Sequence, residues 1–333
     1  MKKTTIKDIA KALNVNQSTI SRGLKKHPDI SEAMQKRIEE AATLMNYHPN
    51  QIAVNFRSSH SKLIGLILPD IGMYYFPEVI KAVMTETQKK GFHILMLQSG
   101  ENLEREVANV AICQMMNVEG VLASVTKNTK DGTHFSTLEA NGIPVVFWDK
   151  TPPVAVNFSV TFDDISAAQT AVGYLIRCGA KKIIGVLGNE NLSITKKRQQ
   201  GMENMLAEQV AKKKNTSIIY ANNAEEAYQK VKAICHKFDG FFCMSDEVLS
   251  GTMRALYVKH ISIPHKAQVV AISDGVLPYL FNPTVTYVES SGYMTGQLAS
   301  LELLRLMDDP LVPAPRHIIQ QTPLIINGST HTS

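Results

Sequence analysis

TIKDIAKALNVNQSTISRGL, residues Thr5–Leu24, decides how the rest of the chain is read. Within it Ile6, Ile9, Ala10 and Leu13 recur at i, i+3, i+4 and i+7, the spacing of a single apolar stripe on a helix. Thr5 stands at the N-cap of that helix, and Asp8 follows three residues later, so a capping box is expected. Asn14-Val15-Asn16 breaks the stripe. A second short helix is expected from Gln17 to Leu24, with Ile20 and Leu24 turned inward. Ser31 then stands ready to cap a longer helix whose stripe is Met34, Ile38, Ala41, Ala42 and Met45. Two short helices joined by a three-residue turn and backed by a third make a helix-turn-helix core.

Charge collects in the same place. Residues 1–60 hold ten Lys/Arg and five Asp/Glu, which accounts for the whole formal net charge of +5. A basic head on a neutral body is the footprint of a nucleic-acid-binding module attached to something else; a solvated surface helix is the plainer reading of the same charge. The 333 residues favour two or three domains, and 44% hydrophobic with 20% charged residues excludes wholesale disorder. No apolar run approaches the length of a membrane span and no apolar segment follows Met1-Lys2-Lys3, so a cytoplasmic location is expected. Cys113, Cys178, Cys235 and Cys243 contain no C-x-x-C pair and the histidines are scattered, so reduced core thiols are expected and a metal site is not.

From Leu63 onward, short apolar runs alternate with helical patterns: LIGLILPD, GFHILMLQS, VEGVLAS, IPVVFWD, KIIGVLG, SIIYA, GFFCMS and QVVAIS. Such alternation means parallel sheet flanked by helices. Eight units fit a single (βα)8 barrel or two doubly wound sheets, and periodicity does not choose between them. Signatures of catalysis are missing: there is no G-x-S-x-G elbow, P-loop or G-x-G-x-x-G, and Ser-x-x-Lys occurs only in two unrelated contexts, at Ser59/Lys62 and Ser193/Lys196. An enzyme is therefore not expected.

Thr5–Leu24, with Asp29-Ile30-Ser31 and YHPNQIAVNFR (Tyr47–Arg57) after it, resembles the DNA-binding head of the LacI/GalR family of bacterial transcription regulators. The spacing from Ser18-Thr19-Ile20-Ser21-Arg22 to Tyr47-His48-Pro49-Asn50 matches without gaps. The resemblance implies that the second helix lies in the major groove. Gln17, Ser18 and Arg22 would then read bases, and Thr5, Asn16, Thr19, Ser21 and Asn50 would hold phosphates. Residues 48–60 would be a hinge that folds on the operator, because so short a helix is marginal alone. Phe56 takes the position of the family's usual Leu wedge in the minor groove, and Ala53 the position of a small residue where two hinges meet. Two departures stand out. Asn14 replaces a usual Gly in the turn, and Gly23 replaces a usual aliphatic, which is expected to loosen the second helix by about 0.5–1 kcal/mol.

The order Gly142-Ile143-Pro144 before Asp149, Gly179 before Lys182-Ile183-Ile184, Arg198-x-x-Gly201, Ser245-Asp246 and Pro283-Thr284-Val285-Thr286 is similar to that family's sensor, a type I periplasmic-binding-protein fold. The fold class implied is α/β: an all-α head, then two Rossmann-like doubly wound subdomains. Implied boundaries are 1–47 for the head, 48–60 for hinge and linker, 61–161 with 290–320 for the N-subdomain, and 162–289 with 321–333 for the C-subdomain. A ligand cleft is expected at the carboxyl ends of both sheets. Carried over one by one, its residues are Tyr75 and Phe76 as aromatic walls, Asp149 as a hydroxyl acceptor with Trp148 beside it, and Arg198 as a bidentate clamp. Asn222 stands where an aromatic is common, Ser245 replaces a usual Asn, and Ser273 followed by Asp274 replaces an acceptor Asp. The function implied is a ligand-responsive repressor of carbohydrate-utilisation genes, or alternatively an activator. It would bind a near-palindromic DNA operator as a homodimer, with a sugar-like effector and no cofactor.

Overall fold

The N-terminal periodicity is realised as three helices, α1 (Ile6–Leu13), α2 (Gln17–Leu24) and α3 (Glu32–Leu44). The structure, a computed structural model, describes residues 4–47, 61–72, 75–208, 215–309 and 315–331; the chain divides into two units, 1–61 and 62–333. Thr5 and Asp8 form the capping box of α1: the Asp8 N–H donates to Thr5 Oγ1 and the Thr5 N–H donates to Asp8 Oδ2 at 2.8 Å. Asn14 takes the left-handed conformation, φ 53°, that ends α1. Ile9, Ala10, Ile20, Ile38 and Ala42 form the core of the head. One local expectation needs correction, and another gains a tertiary reason. Ser31 sits at the N-cap of α3 but makes no side-chain cap bond; instead Gln35 Nε2 donates to the Ile30 carbonyl at 2.8 Å and holds the approach to the helix. Gly23, expected to loosen α2, is buried, and a Cβ there would run into Cδ1 of the fully buried Ile38. Its missing side chain is what lets α2 lie against α3.

The second unit contains β1 (Leu63–Leu68), β2 (His93–Gln98), β3 (Gly120–Ala123), β4 (Val145–Trp148) and β5 (Phe158–Phe162), then β6 (Lys182–Leu187), β7 (Asn215–Tyr220), β8 (Gly240–Cys243), β9 (Gln268–Ser273) and β10 (Thr286–Glu289). It ends with β11 (Arg316–Gln320) and β12 (Leu324–Ile325). They form two sheets, ordered β2-β1-β3-β4-β5-β11 and β7-β6-β8-β9-β10-β12, and every pairing is parallel except that of β12 with β10. Two doubly wound sheets, rather than a barrel, are thus the architecture. Eight of the strands coincide with the apolar runs read from the sequence; β5, β10, β11 and β12 were not among those runs.

Helices cover the sheets: α4 (Tyr75–Lys89), α5 (Leu103–Met115), α6 (Thr133–Ala140), α7 (Asp164–Arg177), α8 (Ser193–Glu208), α9 (Ala224–Ile234), α10 (Asp246–Val258) and α11 (Gly292–Asp308). The chain passes from one sheet to the other three times, after β5, after β10 and after β11. α11 returns to the first sheet by packing on α4, and Gly292 and Gly296 bring it against the Tyr75 and Val79 carbonyls. All four cysteines are buried and free, and burial pushes the thiols of Cys113 and Cys243 up to about 12. Among the described residues no helix is long and apolar enough to cross a membrane.

Candidate nucleic-acid interface and ligand cleft

In the head, α2 buries Ile20 and Gly23 and turns Gln17, Ser18 and Arg22 to solvent, with Ser21 between them half-buried. At 3.6 residues per turn these four outward positions cover an arc of about 140°. Asn16 is the N-cap of α2 but makes no side-chain cap bond, so the leading N–H groups of the helix are left for an anion such as a phosphate. Arg22 lies 3.6 Å from Asp29, an exposed pair that is worth little and easily exchanged for another acceptor. Thr19 is half-buried, and the Thr5 hydroxyl is engaged with Asp8 at 2.6 Å. Asn50, Ala53 and Phe56 lie outside the described residues.

The two sheets of the second unit end on one cavity of about 290 Å3. Tyr75 and Phe76 at the start of α4 and Phe162 at the end of β5 give it aromatic walls, with Tyr75 to Phe76 ring centroids 5.6 Å apart and Tyr75 to Phe162 6.1 Å apart. The Tyr75 hydroxyl donates to Thr295 Oγ1 at 3.1 Å, and Thr295 in turn donates to Gln320 Oε1 at 2.6 Å. Burial, then the negative charge of Asp149, pushes the Tyr75 phenol well above its ordinary value. Asp149 follows β4 with φ 58°, a left-handed backbone uncommon outside glycine and characteristic of ligand sites. Burial pushes its carboxyl up to about 6.

Arg198, on α8, is 4% exposed. Its Nε donates to Asp164 Oδ1 at 2.8 Å, its Nη1 donates to the Met244 carbonyl, and its guanidinium carbon lies 5.6 Å from the Phe162 ring centre. Two of the three guanidinium nitrogens are therefore already engaged by protein. Asp246 opens α10 and is 7% exposed; Ser273 Oγ donates to its Oδ1 at 2.5 Å and the Asp274 N–H to its Oδ2 at 3.3 Å. Burial pushes Asp246 up to about 6 as well. Asp274 Oδ1 accepts from the Val276 N–H at 3.1 Å, whereas its Oδ2 is buried with no partner among the described residues. Asn222 spends its amide on Asn189 at 2.8 Å and Glu226 at 2.9 Å.

The cavity brings together Tyr75, Phe76, Asp149, Arg198, Asn222, Ser245, Ser273 and Asp274. Trp148 is a correction: it is fully buried, packed edge-on to Phe76 at 5.7 Å, and does not line the cavity. Sequence reasoning missed Asp70, Glu101, Lys150, Phe162, Asp246 and Glu247 as lining residues. A signal was present for some of them, since LIGLILPD stops on Asp70 and GFFCMS is followed directly by Asp246. A wider depression of about 410 Å3 at Asn189, Tyr220, Asn222 and Lys230 draws only on the second sheet and its flanking loops, so the smaller cavity is the one that both halves build.

Residues 61–308 match the family model for periplasmic binding proteins and the sugar binding domain of the LacI family, and residues 5–50 match that for bacterial regulatory proteins of the lacI family. The ribose operon repressor of Halalkalibacterium halodurans is 25% identical over 328 residues, covering 98% of this chain and 97% of its own. The crystal structure of the lac repressor dimer bound to operator and the anti-inducer ONPF superposes with a TM-score of 0.84 at 19% identity, covering 99% of this chain and all of that one (100%). A periplasmic binding protein/LacI transcriptional regulator from Alkaliphilus metalliredigens complexed with D-xylulofuranose gives 0.71 at 19% identity, over 81% of this chain and 100% of its own. These structural neighbours establish the fold, and the two family models together span the head and most of the second unit. The chain belongs to the LacI family of bacterial regulatory proteins.

Proposed function

We propose that this LacI-family protein is a non-enzymatic, cytoplasmic, ligand-responsive repressor that binds a near-palindromic operator as a homodimer and senses a small sugar-like effector. The observation that carries the reading is one chain holding both a helix-turn-helix with Gln17, Ser18 and Arg22 outward and a cavity walled by two separate sheets. A ligand touching both sheets favours one arrangement of them over another, which is the requirement for shifting an equilibrium. Repression and the sugar-like effector are supported by the relatives, which include ribose operon repressors and a sugar-bound regulator. In this reading Asn16, Thr19 and Ser21 hold phosphates with Thr5 and Asn50, while Ala53 and Phe56 serve the hinge. The test is selection of genomic fragments by the purified chain, followed by titration at several salt concentrations. A palindromic site bound with a steep salt slope supports the proposal, because Lys and Arg contacts release counterions. Fragments bound no better than bulk competitor DNA would end it.

A further inference from the structure

Within the cavity that the preceding reading assigns to an effector, charge is out of balance. Asp70, Glu101, Asp149, Asp246, Glu247 and Asp274 line it, against Lys150 and Arg198. Both cations are already paired, Lys150 with Glu101 at 2.6 Å and Arg198 with Asp164 at 2.8 Å. The other carboxylates make no ion pair among the described residues. Their excess is local, because residues 61–333 as a whole are neutral.

The excess also stands on both sides of the opening. Asp70 follows β1 and Glu78 lies on α4, on the first-sheet side; Glu247 on α10 and Asp274 after β9 lie on the second-sheet side. After burial, the charge of Asp70 is what raises the Glu247 carboxyl, and that of Glu78 contributes to raising Asp274. Glu78 has Lys81 at 3.5 Å, an exposed and weak partner. Closing the cleft brings like charges together, so closure is favoured by whatever neutralises them. On the cavity wall, Asp246 is 7% exposed and accepts from the backbone N–H of Asp274, whose Oδ2 is buried without a donor among the described residues. A chelated metal ion is not the match, since among the described residues no three His, Cys, Asp or Glu side chains are placed to hold one. An organic cation is: a protonated amine supplies three donors, and the faces of Tyr75, Phe76 and Phe162 suit both an apolar ring face and a nearby cation.

We infer that the effector is an amine-bearing molecule of monosaccharide size, its ammonium group held by Asp246 and Asp274 and its ring against the aromatic wall. The inference rests on the effector-sensor reading and narrows it to one chemical class. The test is calorimetric titration of the full-length chain with 2-amino-2-deoxyhexoses and aminopentoses, each beside its parent sugar and its N-acetyl derivative, and with magnesium chloride alone. At about pH 7.5 one amine is expected to bind at least about tenfold more tightly than its two neutral counterparts. At about pH 5 the advantage should shrink, because carboxylates pushed up to about 6 then take protons and no longer attract a cation. Asp274→Asn should bring amine and parent sugar to similar affinity. A parent sugar or N-acetyl derivative that binds as well as every amine, or magnesium acting alone, overturns the inference but leaves a sensor. Silence across all arms overturns it too, and operator binding in the same samples then shows whether the regulator reading survives.

Discussion

Asp246 is held between two opposing influences. The N-terminus of α10 favours its charge, as does the Ser273 hydroxyl, while burial disfavours it, and burial prevails. A carboxyl raised from 3.8 to about 6 keeps its proton in the folded chain over a pH range where the unfolded chain has lost it. The folded state binds more protons there, so stability from this group falls as pH rises through that window and is lowest above it. Asp246→Asn should therefore melt like the parent near pH ~4 and progressively higher than it toward pH ~7. A difference independent of pH, in melting curves taken across the range, would mean that Asp246 ionises freely. Arg198 gives the opposite case. Removing it leaves Asp164, 9% exposed, without its partner, so Arg198→Ala should destabilise the second unit by about 3–5 kcal/mol in urea titrations. Loss of ligand response in that variant is then not by itself proof of ligand contact, and the response must be compared with Arg198→Lys, which keeps the charge.

Helices of the head were legible because period and caps agree: the stripe of α1, the Thr5–Asp8 box and the left-handed Asn14 are all visible in the residues. Thr5→Ala should lower the stability of the head by about 1 kcal/mol. Gly23 was legible as an exception but not in its meaning, since only the tertiary contact shows Ile38 filling the missing volume. Gly23→Ala gains about 1 kcal/mol of helix propensity and meets overpacking of about 1–3 kcal/mol, so a net loss is expected on thermal melting. Of the strands, the eight with strong apolar runs could be read. β11, RHIIQ, is an edge strand with exposed positions, β12 is two residues long, and β5 and β10 lie at the crossings, so pairing rather than composition defines them. The site followed the same logic. Polar residues directly after strands fall in the cleft, as Asp149 and Asp274 do. Trp148 was misplaced because it is still within β4, whose two faces are both covered: Phe147 enters one core and Trp148 the other, beside Phe76, and only past the end of the strand does Asp149 reach the cleft.

Across the whole molecule, the cavity is tied to the crossings by hydrogen bonds rather than by proximity alone. Tyr75 bonds Thr295, Thr295 bonds Gln320, and Gln320 Nε2 donates to the Ser291 carbonyl at 3.3 Å. Ser291 follows the second passage between sheets and Gln320 precedes the third, so an aromatic that lines the cavity is fastened to two of the three connections between the halves. In a linked system an effector that alters operator affinity by some factor must have its own affinity altered by the operator to the same degree, typically about 5–150-fold. Thr295→Val removes the relay hydroxyl and leaves Tyr75 and Gln320 short of a partner, an expected loss of about 1–3 kcal/mol of stability. Because the relay ties a wall of the cavity to two of the passages between the halves, the variant should lower the coupling factor, and linkage makes that change the same in both titrations. Operator titrations with and without the effector found by the calorimetric screen, and effector titrations with and without operator, close that cycle. A coupling factor left at its parental value, in a variant that still binds operator and effector, would show that the relay holds the fold of one half but plays no part in joining the cleft to the DNA.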